Sequence, residues 1–421
     1  MQFEPADLFS RQSNFEVRLK NNHSIGILAL ACASFFGLGV ITAAIGPSLP
    51  DLAGNTASTL SGVGGLFTGL FLGSLGAQIL NGLLLDRLGP RWIILIGLTI
   101  TAVGILGVSL SNSLPLALAC ATFAGLGHGT INLVMNVSIS NLFPDRRASV
   151  LNLLNVFYGI GAFIAPAVAG LALRLSNSSL PALWAGAGIE LLLLPLFLWL
   201  FHIPAAKQTT PKERNGRSLL SSPALWLLGV MLLIYVGLEN GAGGWVSTYL
   251  QQTTPLTAAS AALGASCFWL ALTAGRVVGS FLGARWQART LLTVSLLVAL
   301  GGGLTILAST GSPVFSILGF VLLGFGFGPV FPTTLAIITA IFSAVPGAAA
   351  SIGTSMGSVG GMLIPWLQGV VLENNGPHAG ALLLPLGSFL MLTCLAAVRR
   401  ARRREAIAYA TSAGMSGDKK D

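Results

Sequence analysis

The chain has 421 residues, of which 53% are hydrophobic and only 8% are charged. A soluble globular domain carries roughly 25% charged residues, and the mean hydropathy of +0.81 excludes a protein that stays in water. The composition predicts an all-α polytopic membrane protein. The 53 glycines agree with that class, because small residues let transmembrane helices approach each other closely.

Twelve apolar stretches are long enough to cross a bilayer, since a spanning helix needs about 20 mostly apolar residues. The predicted spans are 24–49, 57–85, 92–111, 114–142, 148–174, 183–203, 223–250, 257–284, 290–309, 313–343, 348–372 and 378–398. No cleavable signal peptide is apparent, so the first span is expected to be retained. The predicted organisation is a cytoplasmic segment (1–22), an N-terminal six-helix bundle (23–203), a cytoplasmic central loop (204–222), a C-terminal six-helix bundle (223–398) and a basic cytoplasmic tail (399–421).

The positive charges lie almost entirely on one side of this arrangement. Of the 22 Lys and Arg residues, 21 fall on the side that carries both termini, among them Arg276, and only Arg174 falls opposite. Positively charged loops remain in the cytoplasm, so both termini are predicted to be cytoplasmic, in a cell membrane. The formal net charge of +9 is therefore topological; it favours contact with anionic lipid and requires no nucleic acid.

Polar residues follow one face of the fourth and fifth spans. Helix residues four apart share a face, and one such stripe contains His128, Asn132, Asn136 and Ser140. A second stripe, at i, i+3 and i+6, contains Asn152, Asn155 and Tyr158. Amide and imidazole groups are costly in lipid, so both stripes are predicted to face protein or a water-filled cavity.

Two carboxyl groups lie well inside predicted spans, Glu190 and Glu239. A carboxyl group in a medium of low dielectric constant can hold a proton at cellular pH. Glu239, beside Asn240 in a glycine-rich stretch, is the candidate for proton coupling, with a structural hydrogen bond as the alternative. For Glu190, on the sixth span, a packing role is favoured.

The two halves of the chain repeat each other. Gly161-x4-Pro166-x3-Gly170 recurs as Gly360-x4-Pro365-x3-Gly369, and GLGHG at 125 recurs as GFGFG at 324. Both pairs share one offset, 360 − 161 = 324 − 125 = 199 residues. Such duplication predicts two related bundles around a substrate site at the membrane midplane.

The junction after the second span reads Gly82-Leu-Leu-Leu-Asp86-Arg87-Leu-Gly89-Pro90-Arg91. It resembles the signature loop of the major facilitator superfamily, G-x-x-x-D-R-x-G-x-[RK]. The resemblance implies twelve helices in two pseudo-symmetric bundles, transport by alternating access, and a conformational-switch role for Gly82, Asp86, Arg87, Gly89 and Arg91. The corresponding run in the second half, 279–285, lacks the acid.

Four stretches (144–166, 235–250, 268–280 and 324–336) are similar to the fucose–galactose–glucose symporter branch of that superfamily. The likeness implies symport of a small neutral solute such as a sugar. Two departures concern proton coupling. Where the branch carries an acid in its fourth helix, this chain has Asn132. Where the branch carries a His or Gln in its fifth helix, this chain has Asn155. Because Asn cannot change charge, the expected coupling group is Glu239.

The expected substrate contacts are His128, Asn132, Asn136, Asn155, Asn240, Trp245, Trp269 and Phe331. Amides suit hydroxyl groups, and aromatic rings stack on the C–H face of a sugar; core packing remains the alternative for each ring. No metal or cofactor motif is present, and a monomer is expected. Two other functions stay open: a proton-driven exporter of amphiphilic compounds, favoured by the degenerate antiporter run Gly161-x3-Ala165-Pro166-x2-Ala169-Gly170, and a membrane sensor that binds ligand without transport.

Overall fold

The computed structural model describes residues 5–143, 146–200, 219–343 and 345–417. Within these ranges, 12 helices are long and apolar enough to cross a membrane, as the sequence predicted. They are α1 (Pro5–Asn55), α2 (Leu60–Gln78), α3 (Gly89–Leu110), α4 (Leu114–Leu142), α5 (Arg147–Ser176), α6 (Pro181–Leu200), α7 (Pro223–Thr253), α8 (Ala258–Gly283), α9 (Ala288–Ala308), α10 (Pro313–Ile341), α11 (Pro346–Asn375) and α12 (Pro377–Gly417).

Two parts of this arrangement depart from straight, separate helices. The spans α2 and α3 belong to one continuous helix, Leu60–Leu110, whose backbone leaves helical geometry only at Gly89, where φ is 72°. The junction that the sequence predicted as a loop is therefore a kink, at a φ that glycine adopts easily. Helix α10 consists of two pieces, Pro313–Phe327 and Val330–Ile341, which meet at Gly328 and Pro329.

The helices form two bundles, α1–α6 and α7–α12, with the same internal packing. Helix α1 packs against α5 and α6 as α7 packs against α11 and α12, and α4 packs against α2 and α3 as α10 packs against α8 and α9. These bundles are the two pseudo-symmetric halves that the repeated glycine–proline frames predicted.

The repeated glycines lie at equivalent helix crossings. A side chain at Gly161 of α5 would collide with the backbone carbonyl group of Phe36 on α1, and one at Gly360 of α11 would collide with that of Leu233 on α7. A methyl group at Gly324 would lie 2.6 Å from the carbonyl oxygen of Phe268. Only glycine fits such backbone-to-backbone contacts, which explains why the two frames share one offset.

The bundles contact each other at the end of the molecule away from the chain termini, called here the distal end. At this end α1 lies against α7, because a methyl group at Gly46 would be 2.6 Å from the carbonyl oxygen of Gly244. Helix α2 lies against α11, where the backbone N–H of Ser61 donates to Glu373 Oε2 at 2.7 Å. The distal end is therefore closed.

Candidate functional site

Two cavities lie in the half of the molecule nearer the chain termini, one on each side of Phe331. The first, named here the α5–α8 cavity, has a volume of about 300 Å³ and is lined mainly by α5, α8 and α10. The second, the α4–α11 cavity, has a volume of about 340 Å³ and is lined by α2, α4, α7, α10 and α11. Because each cavity contacts helices of both bundles, movement of one bundle against the other must change their shape.

The α5–α8 cavity carries amide, hydroxyl and guanidinium groups. Its polar lining residues are Asn152, Asn155, Thr273, Arg276, Ser280 and Thr333. Asn155 donates to the carbonyl oxygen of Leu151 at 3.0 Å, a bond within its own helix. One amide N–H and the amide oxygen of Asn155 are thus left for a ligand.

The α4–α11 cavity carries the stripe predicted on the fourth span. Its lining includes His128, Asn132 and Asn136, with Gln78 and Ser358 from the facing helices. The amide of Asn136 donates to both the backbone and the side-chain oxygen of Asn132, at 2.8 and 3.2 Å. These bonds hold the two amides in one orientation, and groups held in place in advance bind polar ligands at lower entropic cost.

An ion pair joins α7 to α8 beside the α5–α8 cavity. Arg276 Nη2 lies 2.5 Å from Glu239 Oε1, and the two side chains are 16% and 10% exposed. From the sequence, Arg276 counted only among the positive residues of the side that carries the termini; in the structure it lies within α8 and its side chain pairs with Glu239 inside the protein. The favourable charge–charge interaction in a medium of low polarity explains how both ionic groups are retained there.

Hydroxyl groups from both bundles lie near this ion pair. Tyr235 of α7 and Tyr158 of α5 lie near Glu239 and Arg276, and Tyr158 lies near Thr42 of α1. Thr42 Oγ1 in turn lies 3.3 Å from His128 Nε2. Polar groups from α1, α4, α5, α7 and α8 therefore lie close together at the boundary between the bundles.

The comparisons with known proteins fit this architecture. The family model described as Major Facilitator Superfamily matches residues 28–365 and 238–414. The chain belongs to the Major Facilitator Superfamily. This family consists of membrane transporters rather than enzymes.

Similar proteins and structures support the same assignment. The human protein named sodium-dependent glucose transporter 1 is 26% identical over 377 residues, which cover 81% of this chain and 73% of that protein. The inward-open structure of the xylose transporter XylE from E. coli has a TM-score of 0.73 at 14% identity, covering 88% of this chain and 95% of the other. The E. coli fucose:proton symporter FucP has a TM-score of 0.63 at 19% identity, covering 88% and 98%. At these identities the structural matches show the fold alone.

Three of the predicted contact residues of this superfamily member lie away from both cavities. Asn240, Trp245 and Trp269 are buried and line neither cavity within the described part of the chain. Trp245 donates from Nε1 to the carbonyl oxygen of Pro365 at 2.8 Å, and Asn240 donates to that of Val236 at 2.8 Å. In this conformation all three residues pack among helices.

Of the residues of the superfamily signature, the structure describes the surroundings of Gly89 and Arg91. The predicted switch roles of Gly82, Asp86 and Arg87 fall on positions of which the structure describes the helical backbone but not the side-chain surroundings. Arg91 donates from Nη2 to the carbonyl oxygen of Leu198, near the end of α6, and its guanidinium carbon lies 5.7 Å from the centre of the Trp92 ring. A cation at a helix C-terminus is stabilising, so Arg91 here ties α3 to α6.

Among the described residues, Glu239 has a compensating charge and Glu190 has none. Glu190 is fully buried, it packs against Gly37 of α1, and neither carboxyl oxygen has a hydrogen-bond partner within the described part of the chain. It lines neither cavity.

Sequence reasoning did not identify Arg276, Thr273, Ser280, Gln78 and Ser358 as site residues. For Arg276 the sequence did contain a signal. Within α8 it follows 18 uncharged residues and precedes the last seven, and a charge inside a span is costly unless it is paired or faces a cavity. For the hydroxyl residues no signal existed, because serine and threonine in spans commonly bond to their own helix, as Thr273 does with the carbonyl oxygen of Trp269 at 2.8 Å.

Proposed function

We propose that this protein is a secondary active transporter that moves a small neutral polar solute, a sugar, across a cell membrane by alternating access. The amide groups that line both cavities carry the proposal, since they can both donate to and accept from hydroxyl groups. The name of the human relative, sodium-dependent glucose transporter 1, and that of FucP, a fucose:proton symporter, point to the same solute class.

Asn132, Asn136 and His128 would hold the sugar from one side, and Asn155 from the other. Phe331 lies between the two cavities and would stack on the C–H face of the ring. Asn240, Trp245 and Trp269 would become contacts only when the distal end opens. Such a change of lining between two conformations is what alternating access requires.

The proposal places both termini in the cytoplasm, as the positive residues predict. Both cavities then face the cytoplasm, and the closed distal end faces outward. The expected test is a reporter fused after Asp421: green fluorescent protein should fluoresce and alkaline phosphatase should be inactive. The opposite pair of results would refute this orientation.

Glu239 is the proposed proton-coupling group. Among the described residues it is the carboxyl group in an ion pair beside a cavity, and it can exchange its partner Arg276 for a proton. Because the ion pair is broken when Glu239 is protonated, the proton and the position of α8 relative to α7 are coupled.

The central experiment is hexose counterflow in proteoliposomes, which requires binding and both conformations but no ion gradient. We expect counterflow with the unaltered protein and about a 5- to 150-fold loss for Asn136→Ala and Asn155→Ala, since a lost hydrogen bond to a buried ligand costs about 1–3 kcal/mol.

The matched control is Asn374→Ala. Asn374 is an exposed amide that donates to the carbonyl oxygen four residues earlier, at 2.9 Å, as Asn155 does, but it lines neither cavity within the described residues. Its counterflow should equal that of the unaltered protein. Hexose binding without counterflow would indicate a sensor, and flux of hydrophobic cations without hexose flux would indicate an exporter of amphiphiles.

A further inference from the structure

Arg276 is the one Lys or Arg among the described residues that line the two cavities. Its guanidinium group carries five N–H donors, and the bond between Nη2 and Glu239 Oε1 uses one of them. The side chain is 16% exposed, and it borders the same cavity as Asn155 and Phe331. A strong, planar donor therefore lies where the proposed substrate would bind.

Stability alone does not account for a charge pair at this position. Replacing a buried ion pair by apolar residues of similar volume is often neutral or stabilising, whereas removing one partner leaves an uncompensated charge at a cost of about 3–5 kcal/mol. Beside a cavity, such a pair can instead be exchanged: a ligand can replace Glu239 as the partner of Arg276, while a proton replaces Arg276 as the partner of Glu239.

We propose that Arg276 is a substrate-binding residue, and that sugar hydroxyl oxygens compete with the carboxylate of Glu239 for its guanidinium group. This inference rests on the proposed function and adds to it the group that links sugar binding to proton binding. The sugar is recognised through adjacent hydroxyl groups, because the two parallel N–H bonds of a guanidinium group match two neighbouring oxygens.

The steps conserve protons and charge. In the empty protein the carboxylate of Glu239 accepts a hydrogen bond from Arg276. When sugar enters, hydroxyl oxygens accept the N–H bonds of Arg276, and a proton from water in the cavity binds to Glu239, because a buried carboxylate without its partner would be costly. Release of the sugar reverses both changes: the ion pair forms again and the proton returns to water.

Few other groups can contribute to this titration. The titratable groups around Glu239 are Tyr235 on its own helix, Arg276 on α8 and Tyr158 on α5. His128 on α4 is reached only through Thr42 on α1. On the other helices packed against α7, Asp51, Glu373 and His378 lie at the distal end, bonded to Ser179, Ser61 and Tyr249, and Arg400 is exposed towards the opposite end of α12. Within the described residues, Glu239 is thus the group that gains a proton.

The test is equilibrium binding of a hexose to the purified full chain as a function of pH. Because sugar binding requires a proton on Glu239, the Kd of the unaltered protein should rise about tenfold for each pH unit through the range in which the pair is ionised. Glu239→Gln keeps Arg276 free of its competitor, so its Kd should be low and independent of pH.

Arg276 is tested in the Glu239→Gln background, where no uncompensated carboxylate remains. The double variant with Arg276→Gln should bind hexose at least tenfold more weakly than Glu239→Gln alone, and Arg276→Lys should recover only part of the loss, since lysine lacks the planar pair of donors. Arg285→Gln is the control, because Arg285 is exposed beyond the end of α8 and should not change Kd.

The outcomes separate this inference from the function on which it rests. If counterflow and hexose binding occur but Kd is independent of pH in the unaltered protein, or if the double variant binds as tightly as Glu239→Gln, the inference is wrong and the transport function stands. If no hexose binds to the unaltered protein at any pH, the proposed function fails and the inference with it.

Discussion

The contact between α1 and α7 at Gly46 is the most direct point at which to perturb the closed distal end. A methyl group built on Gly46 would lie 2.6 Å from the carbonyl oxygen of Gly244, 2.9 Å from its Cα and 3.0 Å from the carbonyl oxygen of Gly243. All three neighbours are backbone atoms of a helix, which cannot rotate away as a side chain can. Gly46→Ala must therefore push α1 and α7 apart when this end is closed.

The size of the effect follows from the cost of overpacking. Inserting a methylene-sized group into a tightly packed region costs about 1–3 kcal/mol, and the cost falls on the closed conformation alone. The ratio of open to closed distal ends should then rise about 5- to 150-fold. The gain in helix propensity from glycine to alanine, about 1 kcal/mol, is common to both conformations and cancels.

The assay is labelling of a single introduced cysteine by a membrane-impermeant maleimide added on the distal side. Ser247→Cys serves as the reporter, in a chain whose four cysteines have been replaced, because Ser247 is 6% exposed in the closed form. Gly54→Ala is the matched control: Gly54 lies on the same helix, and a methyl group there meets no atom within 4 Å.

We expect Gly46→Ala to raise the labelling rate about 5- to 150-fold and Gly54→Ala to leave it unchanged. Equal labelling of both variants, with both proteins folded, would show that contact between α1 and α7 does not hold the distal end closed.

Three further changes test other contacts. Glu373→Gln removes a negative charge at the N-terminus of α2, where the backbone N–H of Ser61 donates to it. Such a charge contributes about 0.3–1 kcal/mol, so labelling of Ser247→Cys should rise by up to about fivefold, and by less at high salt. No rise at low salt would contradict this prediction. Trp245→Phe loses the bond to Pro365 and should destabilise the protein by about 0.5–1.5 kcal/mol in thermal unfolding; an unchanged midpoint argues against the bond. Glu190→Met removes a buried carboxyl group that has no hydrogen-bond partner within the described residues. The change should stabilise the protein by about 1–3 kcal/mol, whereas a lower unfolding midpoint would reveal a partner.

The architecture of this protein could be predicted from its sequence because a bilayer imposes simple requirements. Spanning helices need long apolar stretches, and positive residues keep to one side, so helix number follows from composition along the chain. The duplication could also be predicted, since Gly161 and Gly360 must remain glycine wherever backbones touch. The kink at Gly89, in place of a loop, could not, because the signature motif constrains residue types and not backbone angles.

The candidate site could be predicted only where a polar group is an exception in an apolar helix. His128, Asn132, Asn136 and Asn155 were such exceptions, and the structure brings each of them to a cavity. Trp245 and Trp269 could not be placed, because an aromatic ring suits lipid, packed protein and a binding site alike.

The partnership of Glu239 and Arg276 was decided by the tertiary structure. The residues are 37 positions apart on different helices, and from the sequence the arginine counted only among the positive residues of the side that carries the termini. Lipid is as apolar as a protein interior, so hydropathy identifies the spans and reports nothing about which face of a helix meets its neighbour. The orientation of α8 about its own axis decides which of its faces meets α7. That orientation brings Arg276 to Glu239.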